Sequence, residues 1–323
     1  MRAKLMELIS AHAHDDQDVL FLTGDLGFSF VEPLQAALGS RFINAGVAEA
    51  NMMTMASTLA ACGFRPYVYT IAPFVTTRCY EQIRNDVCYH RRPVMLIGVG
   101  AGLSYGTLGP SHHSLEDAAI MATLPSLAIA SPANEAELAL VHGLFKNSDR
   151  AVYFRVPRET GMNFPVPAIT APVDAGYVVR EGDDVALVAS GPSVNECLIA
   201  ANRLAEVGLS AAVISIPILA PFPADALRRA VGTRPIVSVF EGYAGGPLEV
   251  GVLRMLVTAG FMRPVRHLAV QMRIPRSCGS TEYLRAELEI DAAAIVRAAE
   301  SILEPTRPMA ALRSPRGAGS FRT

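Results

Sequence analysis

Short apolar runs alternate with longer helix-forming stretches through nearly the whole chain, and this alternation limits the fold more than any single residue does. Runs at 19–23 (VLFLT), 93–99 (PVMLIGV), 127–130 (LAIA), 185–189 (VALVA) and 211–216 (AAVISI) carry no charge. Such runs read as strands buried on both faces. The stretches between them are rich in Ala, Leu, Met and Glu, which favour helix. Strand–helix alternation implies mostly parallel sheets covered by helices. A Pro-rich stretch at 161–182, with Pro165, Pro167 and Pro172, lacks helical period and divides the pattern. The expected fold class is therefore α/β, with two doubly wound domains at 1–160 and 183–304. Residues 305–323 carry Pro, Arg, Gly and Ser without period, the composition of a disordered tail.

Composition excludes several classes of function. Of 323 residues, 51% are hydrophobic and 18% charged, which leaves a large core and a modest charged surface. A formal net charge of -2 gives no basic field for nucleic acid. No stretch has the length and apolarity of a membrane span, and the N-terminal helix, expected over 3–14, has no signal-peptide core. The cytoplasm is the expected compartment. Five cysteines without CxxC spacing read as buried free thiols and not as a disulfide frame or zinc site.

Candidate chemistry sits where apolar runs end. Residues 41–53 (RFINAGVAEANMM) read as a short strand, a glycine turn at Gly46 and the start of a helix over 48–61. Glu49 falls in the first helical turn, and no other acid or base follows it until Arg65. A carboxylate in such surroundings is expected to have a raised pKa and to share a proton with a partner base. The competing reading is an acid serving the helix dipole. Asp25, in the loop 24–27 (GDLG), is either a ligand-edge residue or a turn aspartate. Phe74 follows the strand 65–71 and is either a site wall or core. The Gly-rich loop 100–113 (GAGLSYGTLGPSHH) ends in His112 and His113, which suit proton transfer or donation to a substrate oxygen. They do not make a metal triad. Arg155 ends the strand 152–155; its guanidinium suits phosphate or carboxylate, or it pairs with Glu159 at the surface.

These motifs resemble a known family. Residues 41–53 are similar to the (R)F-I-N-x-G-(I/V)-A-E-x-N-M signature of transketolases. The chain to about residue 305 resembles the C-terminal half of those enzymes, and is most like split transketolases, in which two genes encode the two halves. The resemblance implies a thiamine diphosphate pyrimidine-binding domain at 1–160 and a transketolase C-terminal-like domain at 183–304. It implies that Glu49 is catalytic and contacts N1′ of the cofactor's aminopyrimidine, and that Asp25 lies near the cofactor. Residues 70–85 resemble T-F-A-x-F-x-x-x-R-x-(F/Y)-E-Q-I-R-N, which places Phe74 and Arg78 against the cofactor, with Ile71 where the family has a ring. Gln82, Arg84 and Asn85 are expected to hold structure or an interface.

The loop 100–113 resembles G-E-D-G-(P/A)-(T/S)-H-Q. His112 then matches the histidine that touches donor oxygens, and Arg155 the arginine on a substrate phosphate. Leu108 stands in place of an aspartate, Gly100 in place of a histidine and His113 in place of a glutamine, so the substrate site, with His112, His113 and Arg155, looks rebuilt for another donor or acceptor. Gly24-Asp25 with Asn51 imitates the GDG…N motif that holds Mg²⁺ and diphosphate, but the third glycine is Leu26 and Asn51 belongs to the glutamate motif. The diphosphate and Mg²⁺ are therefore expected on a separate N-terminal subunit, with this chain dimerising into an α2β2 assembly. The implied activity is transfer of a two-carbon ketol or acyl unit from a ketose-type donor to an aldehyde acceptor. The alternatives are a 2-oxo acid dehydrogenase E1 β-type subunit, a deoxyxylulose-phosphate synthase-like enzyme, or a non-catalytic scaffold. The second domain is expected to be structural.

Overall fold

The computed structural model describes residues 1–260 and 262–304, so the expected disordered tail lies outside the described residues. The apolar runs do form buried strands. The first sheet contains β1 (Val19–Thr23), β2 (Phe42–Asn44), β3 (Arg65–Ile71), β4 (Met95–Val99), β5 (Ala128–Ala130) and β6 (Val152–Val156). The second contains β7 (Tyr177–Arg180), β8 (Val185–Ala189) and β9 (Ala211–Ser215). The chain then returns to the first sheet for β10 (Ile218–Ala220), and closes the second with β11 (Ile236–Tyr243) and β12 (Val265–Val270). The orders are β10-β5-β6-β4-β3-β1-β2 and β12-β11-β8-β9-β7. All pairings are parallel except β10 with β5 and β7 with β9.

Because β1 to β6 run parallel, their C-terminal ends share one edge. The loops after β1, β2, β3, β4 and β6 therefore converge there. Those loops carry or precede Asp25, Glu49, Phe74, His112 and Arg158. The edge outside the carboxyl ends of parallel strands is where open α/β sheets place ligands.

The two sheets are not independent. β10 follows β9 after two residues and crosses into the first sheet, so the second half of the chain closes the sheet of the first half. The core follows the same path: Leu22, Met52, Leu96 and Tyr153 lie in one continuous apolar cluster with Val188, Ile214, Phe240 and Leu248. Glu137, on the helix Glu135–Phe145, is fully buried between the halves and accepts hydrogen bonds from Ser215 Oγ (2.5 Å) and Tyr177 Oη (2.6 Å).

Several local expectations change. The end of the stretch read as linker is strand β7, which pairs with β9. The short helix Asp117–Met121 has no side-chain cap, and the Ser114 carbonyl ahead of it accepts from Arg155. The helix Glu135–Phe145 is capped by Asn134, whose side chain accepts the Glu137 amide at 2.9 Å. A cap of this type is worth about 1 kcal/mol. Three cysteines are buried as expected, but Cys62 and Cys278 are exposed; all five are free thiols.

Candidate active site

Gly46, at φ +69°, turns the chain after β2 and starts the helix Glu49–Ala61. This aims Glu49 into the sheet edge, and it is 3% exposed. Gly24, at the end of β1, lies against it: a Cβ at Gly24 would sit 3.8 Å from Glu49 Oε1. The charge-free surroundings expected from the sequence are not found. Arg78, 29 residues on, donates from Nη1 to Glu49 Oε2 at 2.7 Å. Its guanidinium also stacks over the Phe74 ring, 4.1 Å from the centroid. Among the described residues Glu49 Oε1 has no hydrogen-bond partner. Burial pushes the neighbouring Cys79 thiol up to about 12, with the Glu49 charge adding to the effect, so this thiol is not a nucleophile near neutral pH.

Rings continue from this pair toward the Gly-rich loop. Phe74 meets His112 edge-on, with centroids 5.4 Å apart. His112 meets Tyr105 at 6.0 Å, and Arg158 stacks over Tyr105 at 4.8 Å. Glu49, Arg78, Phe74 and His112 therefore form one connected group, extended by Tyr105 and Arg158. His112 is half-buried, and Ser111 Oγ lies 2.9 Å from its Nδ1. If the hydroxyl donates there, Nε2 carries the proton and can donate to a substrate oxygen. Ile71 is half-buried at the end of β3, one turn before Phe74.

Of three other candidates, His113 and Arg155 are placed differently from the sequence reading, whereas Asp25 takes the turn that was one of its two readings. His113 is buried inside the loop, with Nε2 3.3 Å from the Gly106 carbonyl; it faces the loop's own backbone and not open space. Asp25 is exposed, at φ +57°, in a reciprocal pair with Asn44: its amide donates to Asn44 Oδ1 and its carboxylate accepts from Asn44 Nδ2, both at 3.1 Å. Arg155 is neither at the surface nor paired with Glu159. It is 1% exposed and donates from Nε to both Asp117 oxygens, at 2.9 and 3.0 Å. Its Nη2 donates to the carbonyls of Ser114 (3.1 Å) and Glu241 (2.6 Å). The reason is directional: Arg155 is inside β6, where alternate side chains point to opposite faces, and it points into the interior. Glu159 instead accepts from Ser104 and Thr281 hydroxyls. The sequence reading missed Tyr105, Arg158 and Asp117; only the Gly-rich loop and the strand end marked their neighbourhood.

Two cavities bear on the site. One of about 380 Å³ borders the His112 loop and is lined by Arg2, Ser104, Thr107, Arg158, Glu159 and Thr281. A larger one, about 880 Å³, lies elsewhere, among Ala119, Phe222, Arg228, Val250 and Arg254, and touches none of the candidate residues. Size does not make it the reaction site, since it brings together no proton-transfer pair. Among the described residues no group of three or more His, Cys, Asp or Glu side chains could hold a metal ion.

The fold and this edge define a class: a two-domain α/β protein with a buried helix-start glutamate at the carboxyl edge of a parallel sheet. Residues 1–162 match the transketolase pyrimidine binding domain, and residues 174–295 match the transketolase C-terminal domain. The chain belongs to the transketolase family, as a subunit of the C-terminal type. It is 30% identical over 310 residues to the 6-deoxy-6-sulfo-D-fructose transketolase subunit SqwH of Clostridium sp. (strain MSTE9), covering 94% of each chain. It is 33% identical over 285 residues to 1-deoxy-D-xylulose-5-phosphate synthase 1 of Geobacter sulfurreducens, but spans only 43% of that longer protein. Among solved structures it is similar to a split gene transketolase, described as an inactive beta4 tetramer, with TM-score 0.80, 27% identity and coverage of 94% and 97%. The transketolase of Campylobacter jejuni shares the fold, with TM-score 0.77 and 19% identity, over 46% of that chain.

The family implies thiamine diphosphate, and the residues present fit its aminopyrimidine. A buried carboxylate with one oxygen unpartnered can meet a ring nitrogen. Phe74, stacked against Arg78, supplies flat apolar surface near it. The small Gly24 leaves room at the carboxylate.

Proposed function

We propose that this chain is the pyrimidine-holding half of a thiamine diphosphate-dependent enzyme that transfers a two-carbon ketol or acyl unit from a ketose-type donor to an aldehyde acceptor. The observation that carries the reading is the buried Glu49 carboxylate, held through one oxygen by Arg78 and open at the other, beside Phe74. Glu49 would hold the aminopyrimidine through its open Oε1 and would be the group that exchanges a proton with it. Arg78 fixes the carboxylate's rotamer through its 2.7 Å hydrogen bond to Oε2. Phe74 and Ile71 orient the ring and exclude water. His112 donates from Nε2 to substrate oxygens, worth about 10²- to 10³-fold in rate for a well-placed donor. When bound, the cofactor supplies the carbon nucleophile and the electron sink for C–C cleavage.

The diphosphate and Mg²⁺ belong to a separate N-terminal subunit, because no GDG…N motif is present here. The relative named as a transketolase subunit supports a two-component enzyme, and the neighbour described as a tetramer supports self-association. The proposed assembly is α2β2, in the cytoplasm. The sulfonated sugar in the relative's name makes an anionic ketose the first donor to test, with Arg2 and Arg158, which line the smaller cavity beside Glu159 and Glu282, as the cations it would meet. His113 and Arg155 act behind the site and hold its loop. Domain limits at residues 160 and 183 remain the working division, with β10 shared.

A second reading, a deoxyxylulose-phosphate synthase-like enzyme, is favoured by the 33% identity to that group. Ketose and 2-oxo acid donors, offered in turn to the two-subunit enzyme, separate the readings. With an aldehyde acceptor present throughout, release of aldehyde from the ketose supports the first, and turnover only with the 2-oxo acid as donor supports the second.

A further inference from the structure

The loop after β4 is closed on itself at its base: Gly102 and Ser114 exchange both backbone hydrogen bonds, at 3.1 and 2.9 Å. His112 sits on the part so closed. The contacts that fix this loop come largely from the second domain. Leu103 N donates to Glu241 Oε1 at 2.8 Å. Arg285 Nε holds the other Glu241 oxygen at 2.6 Å, and Arg285 Nη1 reaches Glu196 at 3.4 Å. The Glu241 carbonyl accepts from Arg155, which also takes the Ser114 carbonyl. Tyr243 N donates to the Leu115 carbonyl at 2.9 Å, and Gly279 N to the Gly106 carbonyl at 3.2 Å. Leu103 and Leu115 are buried with Val270, Leu284, Leu288 and Ile290 of the second domain.

Glu241 is central to this arrangement. It is 1% exposed, and both its oxygens are used. A buried carboxylate is costly unless it is paired and hydrogen-bonded. Arg285 meets that requirement, and the remaining acceptor is spent on the loop backbone. Gly102, at φ +67°, is what lets the carboxylate reach: a Cβ there would overlap Glu241 Oε1. The left-handed backbone at Gly102 favours glycine as well, so conformation and close approach both select it.

We propose that Glu241, oriented by Arg285, is a positioning residue that fixes the loop carrying His112, so that the second domain sets the geometry of the substrate end of the site. The functional part rests on His112 acting as described under Proposed function; the structural part does not. Backbone hydrogen–deuterium exchange on the full chain tests it, in wild type, Glu241→Gln and Gly102→Ala. Glu241→Gln puts an amide against the Arg285 guanidinium. Gly102→Ala drives a methyl group into the carboxylate and strains the backbone at φ +67°, so it disturbs the same contact from the loop side. Glu196→Gln is the control, because Glu196 touches Arg285 and the Ala292 amide but not the loop.

The expected result is exchange at least about tenfold faster across residues 100–114 in both loop variants, the loss of one charge-assisted hydrogen bond. Helix 49–61 and the Glu196→Gln loop should match wild type. With the partner subunit added, kcat/KM for the donor should fall about tenfold while the cofactor Kd stays within about twofold. Unchanged loop exchange in Glu241→Gln, or equal loosening in Glu196→Gln, overturns the proposal. So does faster loop exchange with unaltered kcat/KM. A wild-type pair without turnover counts against the proposed function and leaves the exchange result to decide the clamp.

Discussion

At the scale of single residues, the account turns on which charges face each other. Glu49 was legible as a helix-start acid because Gly46 and the Ala/Met-rich run announce the turn and the helix. Its partner was not legible as a pair: Arg78 lies 29 residues away and reaches Glu49 only because β2 and β3 end at the same edge. Arg155 was misplaced because a position at a strand end does not say which face the side chain takes. Glu49→Gln keeps shape and removes the proton exchange. It is expected to lower turnover by about 10²- to 10⁴-fold with assembly intact, as read by single-turnover kinetics and sedimentation. Asp117→Asn leaves Arg155 buried without its counter-charge and should destabilise the chain by about 3–5 kcal/mol in urea titration. An effect below about 1 kcal/mol would show that the pair is not buried in solution.

At the scale of elements, the strands were the legible part, since uncharged apolar runs have few other solutions. Strand β10 was not. Leu219-Ala220-Pro221 reads as a loop, and nothing local says that it pairs with β5 across the domain boundary. The helix Arg2–Asp15 is tied to β3 and to Glu135–Phe145 by a buried relay: His12 Nδ1 to Tyr67 Oη at 2.8 Å, and Tyr67 Oη to His142 Nε2 at 2.9 Å. Burial, with the His12 and Lys146 charges adding to it, pulls His142 down to about 4, and burial pulls His12 down as well. Both histidines are thus neutral when folded at a pH where the unfolded chain already binds protons. Stability should be full above about pH 6.5, the ordinary histidine value, and fall as pH drops from there toward 4. Urea midpoints between pH 7.5 and 4.5 measure it. His142→Gln should flatten part of that slope, and an unchanged slope would place its cause elsewhere.

At the scale of the whole molecule, two domains share a sheet, a core and the buried Glu137 cluster. Unfolding should therefore be a single cooperative transition, with calorimetric and van't Hoff enthalpies in agreement. Two resolved transitions would mean that β10 and the shared core do not couple the halves. The same sharing gives the second domain direct hold of the loop that carries His112, through Glu241 and the Tyr243 and Gly279 amides. The proposed function makes this chain the pyrimidine-holding half of a shared site. The most direct test is calorimetric titration of thiamine diphosphate with Mg²⁺ into this chain alone, into the N-terminal transketolase subunit alone, and into the two together, with wild type and Glu49→Gln. The account predicts full-affinity binding only with both subunits present, and binding without turnover for Glu49→Gln. Equal affinity for this chain alone, or no binding by the assembled pair, would contradict it.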